Sequence, residues 1–174
     1  NFYTSDNTER CYKVSTRKLE TTSPLSSFDL SSISGSGIFQ YDAHYRDHIF
    51  FDLYDNALNP EQMHLKDDIN VSYIWDTGFL HPIVRGENIT HSGLDAAVSA
   101  SNTNLHDLLI QIGDLQTTEQ RESWRSFNNT LRLHPNTQSS IITTYSFKPL
   151  VGITSITDGN GITTYYEYDS NGRL

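Results

Sequence analysis

The sequence predicts a mainly β protein of antiparallel β-hairpins with a short helical insertion of about three helices, α+β overall. Two observations favour strands: Thr, Ser, Asn and Tyr are plentiful, and short apolar–polar alternations are separated by turn residues. A third observation, the helical spacing of apolar residues over residues 90–134, predicts the insertion. We therefore divide the chain into a β-rich segment with a degenerate repeat (1–89), the insertion (90–134) and repeat hairpins (135–174), which together form one continuous structural unit.

The first half is predicted to consist of short strands joined by turns and by a Ser/Gly-rich connector at residues 23–37. Glu9–Thr21 is polar and β-prone, and the period of two places Tyr12 and Val14 on one face of this strand. The other predicted elements are strands at Ile38–Tyr41, His48–Leu53, Val71–Trp75 and Ile83–Glu87, with turns at Asn56–Pro60 and Asp76–Gly78.

The insertion is predicted to begin with two short helices. Ser92 is expected to cap the first, which runs to about Ala100. Asn104 is expected to cap the second helix, and Gly113 to end it. The apolar residues of the second helix share one face through the spacing i, i+3, i+4, i+7: Leu105, Leu108, Leu109 and Ile112.

A third helix completes the predicted insertion. Thr117 is expected to cap it, Gln120 to complete a capping box, and Pro135 to end it. Arg121 and Arg125 lie near its apolar face, and we expect both to be solvated. The apolar face itself consists of Trp124, Phe127 and Leu131.

After Pro135 the sequence returns to strand patterning and contains an internal repeat. Ile142–Tyr145 (ITTY) recurs twenty residues later as Ile162–Tyr165, and Gly152 recurs as Gly172. A period of this length corresponds to one hairpin per repeat, each leaning on its neighbours. The predicted elements are strands at Ser140–Lys148, Ile153–Asp158 and Thr163–Asp169, with a tight turn at Asp158–Gly161.

The second copy of the repeat contains a longer motif. Tyr166 and Tyr168 fall on one face of a predicted strand, and a tight turn follows from Asp169 to Gly172. In such a turn the Gly supplies a positive φ and the Asp side chain binds the turn backbone. Arg173 is expected to pair with Asp169 or to stack on a tyrosine ring. Every residue of the motif has a structural task, and we expect the tyrosine rings to stack between hairpins.

The segment Gly161–Leu174 resembles the YD repeat of RHS-type proteins, whose pattern is a Gly followed by Y-x-Y-D-x-x-G-R-L. The run from Tyr145 onward also resembles repeats of a subgroup common in Bacteroidetes-type surface proteins, and Tyr54–Trp75 resembles a degenerate repeat with a Y-x-W step. The resemblance covers about residues 50–174, and residues 1–45 match no family. The positions that fit the motif are Gly161, Tyr166, Tyr168, Asp169, Gly172, Arg173 and Leu174.

Two positions depart from the family pattern. Leu58 stands where the first repeat usually has Gly, so we expect its turn to differ from the others. Gly159 stands where Pro is frequent.

The resemblance implies a structural scaffold. YD repeats in related proteins coil into a β-sheet spiral or hollow shell that encloses a toxin or an enzyme, or they form cell-surface stalks. Any catalytic part lies in a separate, variable C-terminal tip. The resemblance thus implies a non-catalytic segment of a large secreted or cell-surface bacterial protein of the polymorphic-toxin-related kind, with no catalytic residue, cofactor or metal. Its partners would be adjacent repeats, and a strand edge exposed after Leu174 would pair with another copy or fray.

Composition excludes several other functions. The net charge of −9 provides no basic surface for nucleic acid. No apolar run approaches the roughly 20 residues that span a bilayer. The chain opens at Asn1 without a starting Met or signal peptide, so we expect it to be a section of a larger protein. Cys11 is the only cysteine and lies in a strand-like run with no base nearby, which makes a nucleophilic role unexpected.

The sequence contains few candidate catalytic or metal-binding groups. His44 and His48 would share a face only on a helix, and on the strand predicted here they would lie roughly 13 Å apart. Asp67–Asp68 would point to opposite faces of a strand, and Glu119 and Glu122 lie on an exposed helix flank, so paired-acid catalysis is not expected. The turns at Asp158 and Asp169 resemble calcium-binding loops only faintly, because an EF-hand needs a longer series of ligands that ends in Glu.

An alternative function is a cell-surface binding module that contacts a glycan or a protein through exposed aromatic residues. Trp75, Phe79, Tyr73 and the tyrosines of the motif could form a platform on which a sugar stacks. Packing in the core or between repeats is the favoured interpretation of these rings, because large aromatic side chains dominate core energetics.

Overall fold

The computed structural model describes residues 2–5, 10–36, 39–102 and 104–174, with the backbone alone for residues 2–5. Its strands are β1 (Phe2–Ser5), β2 (Cys11–Leu19), β3 (Ser32–Ile33), β4 (Phe39–Gln40), β5 (Tyr45–Tyr54), β6 (Pro60–Leu65), β7 (Asn70–Trp75), β8 (Pro82–Glu87), β9 (Ile141–Lys148), β10 (Gly152–Thr157) and β11 (Thr163–Tyr165). Nine of them form one antiparallel sheet in the order β1-β2-β5-β6-β7-β8-β9-β10-β11, and β3 pairs with β4 in a separate hairpin.

From β5 onward, each strand pairs with the next one along the chain, so this part of the sheet is an antiparallel meander. Three helices, α1 (His91–Ser101), α2 (Leu105–Ile112) and α3 (Thr118–Leu133), lie between β8 and β9 in the sequence. These two strands nevertheless pair directly, with Val84 opposite Thr144. The prediction of a mainly β, α+β fold with a three-helix insertion is therefore confirmed.

The first helix begins earlier than predicted. The hydroxyl of Thr90 accepts the backbone N–H of Gly93 at 3.3 Å, so Thr90 is the N-cap and the prediction of Ser92 was wrong. The chain turns helical at His91, whose backbone N–H donates to the side chain of Gln62 at 2.8 Å. This long-range bond anchors the first helical turn to β6, which a local capping rule does not reveal.

The predicted caps of the other two helices are confirmed. Asn104 accepts the backbone N–H of Asp107, and Gly113 ends α2 with a φ of 46°. Thr117 and Gln120 form both hydrogen bonds of a capping box at the start of α3. Among the helices in the described ranges, none is long and apolar enough to cross a membrane.

The core lies between the helices and one face of the sheet. Leu108 and Ile112 of α2 are buried, and Leu105 and Leu109 pack partly buried against them, as the helical spacing predicted. The predicted face of α3 is buried as well, and the rings of its two aromatic residues stack with centroids 5.4 Å apart. Together with Leu108 and Ile112, buried apolar residues from both layers and their connections form the core: Ile74, Ile83, Val84, Ile89, Leu94, Ala97, Val98, Leu115, Trp124, Phe127, Leu131 and Ile142.

Polar bonds fix α3 to the sheet. The buried side chain of Asn128 accepts the hydroxyl of Thr144 in β9. One turn further on, the guanidinium of Arg132 donates to the carbonyl oxygens of Ile142 and Asp158, at 2.8 and 2.9 Å. Burial lowers the pKa of Arg132. A half-buried arginine thus ties the helix to the ends of two strands.

Two loops differ from the sequence predictions. The connector at residues 23–37 contains β3, which was not predicted, and β4 is shorter than the predicted strand; Gly37 and Ile38 lie outside the described residues. Asp67 lies in the turn between β6 and β7, so its predicted place on a strand was wrong. Asp68 follows with a φ of 60°, a conformation that Asp tolerates better than most residues.

Candidate functional site

The motif residues after β11 form a hydrogen-bonded turn around Asp169. Its backbone N–H donates to the carbonyl of Arg173 at 2.9 Å, and the N–H of Gly172 donates back to Asp169 at 3.0 Å. The carboxylate accepts the backbone N–H groups of Asn171 and Arg173, and the Arg173 guanidinium lies 2.9 Å from it. These bonds lower the pKa of Asp169. Gly172 has a φ of 72°, as this turn requires.

Tyr168 lies across the neighbouring strand β10. Its hydroxyl donates to the carbonyl of Ile153 at 2.9 Å. Its ring passes directly over Gly152, where a Cβ would lie only 2.8 Å from the hydroxyl oxygen. The expected stacking of the motif tyrosines is not found, because in the described part of the chain neither Tyr166 nor Tyr168 contacts another aromatic ring. Tyr168 binds a backbone carbonyl instead.

The strand before this turn is shorter than predicted. Ladder pairing of β11 ends at Tyr165, and the backbone N–H of Tyr166 adds one more bond, to the carbonyl of Thr154. The predicted strand to Asp169 was therefore too long. Before β11, Gly161 adopts a φ of 81° in the hairpin turn that begins at Asp158, which confirms that turn. The last residue, Leu174, is exposed.

The same arrangement of an aromatic residue followed by Asp occurs at the end of β5. The hydroxyl of Tyr54 donates to the carbonyl of Lys13 in the neighbouring strand β2 at 2.5 Å. The carboxylate of Asp55 accepts the backbone N–H groups of Ala57 and Asn59, both at 2.8 Å. The pattern of donors and acceptors matches that of Tyr168 and Asp169.

A third instance ends β7. The indole N–H of Trp75 donates to the carbonyl of Pro60, in the neighbouring strand β6, at 3.0 Å. Asp76 accepts the backbone N–H of Leu80 at 2.8 Å, in a turn that is one residue longer than the others. Its second carboxylate oxygen lies 3.0 Å from Nδ1 of His81, within hydrogen-bonding distance. We call these three units, Tyr54–Asp55, Trp75–Asp76 and Tyr168–Asp169, the aromatic corners.

Leu58 does not change its turn, contrary to the sequence prediction. The bonds Asp55 N–H to Asn59 O and Leu58 N–H to Asp55 O match those of the Asp169 turn. Leu58 adopts a φ of 66°, close to the 72° of Gly172 at the equivalent position. The turn therefore keeps its geometry, and the leucine accepts a backbone conformation that bulky residues rarely adopt.

All three aromatic corners lie at the same end of the meander, because the chain reverses direction at every strand. We call this end, with the turns 55–59, 76–81, 149–151 and 169–173, the corner end, and the opposite end, where the helices leave and rejoin the sheet, the insertion end. Neighbouring corners are connected: the side-chain amide of Asn59 donates to the carbonyl of Phe79 at 2.8 Å.

A cleft of about 520 Å³ opens at the corner end, between α2 and the turns before β8 and after β9. Its apolar wall includes Ile83, Leu109, Ile110, Ile112 and Phe147. Its polar groups are paired with one another or with close neighbours: His81 with Asp76, His106 with the hydroxyl of Thr77, and Lys148 with Asp114. The ring of His81 stacks on Phe147, with centroids 4.3 Å apart. This cleft was not predicted from the sequence.

The two histidines considered as metal ligands, His44 and His48, lie in different elements of the fold. His44 lies in a turn, and its Nδ1 is 2.6 Å from a carboxylate oxygen of Asp42. Asp42 also accepts the backbone N–H groups of Asp29 and His44, which lower its pKa to about 2. His48 lies in β5. Within the described residues, no group of three or more His, Cys, Asp or Glu side chains could hold a metal ion.

The other candidate residues have structural surroundings. Glu119 and Glu122 are exposed on α3, as predicted. Arg121, expected to be solvated, instead donates to the carbonyl of Leu115 at 2.7 Å and lies over the ring of Tyr165. Cys11 is exposed at the start of β2.

The residues considered for a glycan platform are divided between two environments. Tyr73 and Trp75 are half-buried with ring centroids 6.2 Å apart, and the indole N–H is already bonded within the protein. Phe79 is exposed at a turn tip. These rings therefore do not form one flat exposed surface.

The first two aromatic corners could have been found in the sequence. Tyr54–Asp55 and Trp75–Asp76 are twenty-one residues apart, and Phe147–Lys148 precedes Tyr168–Asp169 by the same interval. No protein-family model matches the chain, and neither a curated protein nor a solved structure matches it.

Proposed function

We propose that the chain is a non-catalytic structural segment of a large YD/RHS-repeat scaffold. The observation that carries this proposal is the set of aromatic corners. In each of them, the ring donor binds a carbonyl of the preceding strand of the sheet and the carboxylate binds the backbone of its own turn. These ring donors and carboxylates are thereby bonded within the sheet and its turns.

The corners make each hairpin depend on the one before it. Tyr54 reaches β2, Trp75 reaches β6 and Tyr168 reaches β10, each one strand back in the sheet. A unit that bonds only to its nearest neighbours is the basis of repeat architectures, whose stability is approximately a sum of unit and interface contributions. An interval of twenty-one residues corresponds to two strands and two turns, so units can be added without changing the geometry.

The last turn points to what would adjoin the segment in the parent protein. The turn at Asp169–Arg173 directs the chain back along the outer edge of β11, where a further strand of the parent chain would pair. An unpaired edge attracts other strands, so without that partner the segment would pair with another copy or fray. In a full scaffold, located outside the bacterial cell or on its surface, such walls would enclose or display a C-terminal effector.

The encoding gene provides the test of this proposal. Read beyond the region for residues 1–174, it is expected to encode further Y-x-Y-D units at intervals of about twenty residues, an export signal and a variable C-terminal tail. Protease treatment of intact cells is expected to remove the protein if it lies on the surface. A gene without any further unit, whose product stays protected inside the cell, would contradict the proposal.

A further inference from the structure

The two ends of the sheet differ in the residues that occupy their left-handed turn positions. At the insertion end, these positions hold Asp68, Asn88 and Gly161, with φ between 60° and 81°. Asp, Asn and Gly are the residues that tolerate this conformation. Their turns are therefore built from residues suited to the backbone.

At the corner end, Gly172 is likewise suited to its position, but the other three turns have bulky apolar residues in the same conformation. Leu58, Phe79 and Leu150 have φ of 66°, 56° and 61°. A positive φ strains the backbone of a residue with a branched or aromatic side chain, and such strain tends to occur at functional sites. Phe79 and Leu150 are also exposed to solvent, so burial in the described fold does not compensate for this strain.

These strained tips adjoin the cleft. Phe79 and the exposed Leu80 belong to the turn whose flanking residues line it, and Leu150 directly follows Pro149, which lines it. Ile110, on the α2 wall, is exposed as well. Exposed apolar residues thus belong to both turns that border the cleft and to its helical wall. A small molecule in the cleft would leave the tips in water, whereas a polypeptide could cover both.

The charges around this surface identify the kind of polypeptide. The cleft lining contains two carboxylates, Asp76 bonded to His81 and Asp114 bonded to Lys148, and Lys148 is the single Lys or Arg in the lining. The whole chain carries a net charge of −9. At this surface a second copy or an anionic membrane would be repelled, and a basic partner would be attracted.

We propose that the cleft and the tips Phe79, Leu80, Ile110 and Leu150 form a docking surface for a basic amphipathic segment of another protein. Large apolar side chains on one face of that segment would enter the cleft and cover the tips, as in helix-in-groove recognition. Its Lys or Arg residues would face the carboxylates of Asp76 and Asp114 in the cleft lining.

The test uses a fluorescent peptide of about 16 residues with Leu and Lys in helical spacing. A matched peptide has Glu in place of Lys. Binding to the full chain is measured by fluorescence anisotropy at low and at high salt. The chain variant combines Phe79→Asn with Leu150→Asn, because Asn tolerates positive φ and should keep or raise the melting temperature. The control variant is Asp68→Asn, in the same kind of turn at the insertion end.

The Leu/Lys peptide is expected to bind the unmodified chain and the Asp68→Asn control equally, more weakly at high salt. We expect the double variant to lose at least about tenfold in affinity while remaining folded. Equal affinity of the double variant, absence of binding, or equal binding of the Leu/Glu peptide would overturn the proposal. So would a dimer of the unmodified chain in sedimentation that the double variant abolishes, because the occupant would then be a second copy.

Discussion

Replacing Gly152 with Ala tests the contact between Tyr168 and the strand that it crosses. The new Cβ would lie 2.8 Å from the tyrosine hydroxyl and 3.3 Å from the ring carbon that bears it. The backbone φ of 150° is also one that L-residues rarely adopt. Overpacking and backbone strain together predict a loss of about 2–4 kcal/mol in the free energy of unfolding.

The cause of that loss can be isolated by a second substitution, Tyr168→Phe. Alone, it removes the hydrogen bond to Ile153 and should cost about 1 kcal/mol. Combined with Gly152→Ala, it also deletes the atom in closest contact with the new Cβ. The two substitutions should therefore cost less together than the sum of their separate costs, by about 1 kcal/mol.

Urea unfolding of the four chains gives the coupling directly. The control is Tyr166→Phe, because the described part of the chain shows no hydrogen bond from that hydroxyl and no ring contact; its effect should add to that of Gly152→Ala. If the Gly152 and Tyr168 substitutions are additive within about 0.3–0.5 kcal/mol, Tyr168 does not lie across β10 as described.

Three further predictions concern the rest of the fold. Replacing Arg132 with Ala should lower the free energy of unfolding by about 2–3 kcal/mol in urea titrations, because carbonyl oxygens at two strand ends lose a charged donor; a loss under about 0.5 kcal/mol would contradict this. Thr90→Ala should cost about 1 kcal/mol and Ser92→Ala much less, and the reverse order would restore Ser92 as the cap. The carboxyl of Asp42, bonded to the N–H of Asp29, should titrate by NMR near its folded pKa of about 2. Its depressed pKa stabilises the fold above the unfolded value of 3.8, and this contribution is lost as the pH falls through 2; a midpoint near 4 would contradict the bonding.

Local chemistry made the helices and the glycine turns predictable. The apolar spacing of α2 and α3 and the capping box at Thr117 depend on residues within one or two turns of each other. The Asp158 and Asp169 turns combine a side-chain acceptor with a Gly at the left-handed position. In both cases the interactions that determine the structure lie within a short window of sequence.

Non-local interactions explain what the sequence did not reveal. Thr90 and Ser92 are both residue types that cap helices well. Thr90 is the cap, and the helix that it starts is bonded at His91 to Gln62, in a strand distant in the sequence. The turn at Leu58 keeps its form without Gly because the Asp55 carboxylate and the pairing of β5 with β6 hold it. The cleft exists only because the insertion folds back against the corner end, and no segment alone contains it.

The most direct test of the scaffold proposal is to lengthen the chain by one unit. A second copy of residues 154–174, joined after Leu174, continues the interval of twenty-one residues and should place a new aromatic corner beside the existing one. The lengthened chain should unfold in a single transition at a higher temperature, by about 2–4 °C for each kcal/mol that the new interface contributes. An added copy with Ser at the positions of Tyr168 and Asp169 should give little gain. If the intact copy leaves the melting temperature unchanged and is removed by protease while the rest of the chain resists, the corners do not join repeats and the scaffold account is wrong.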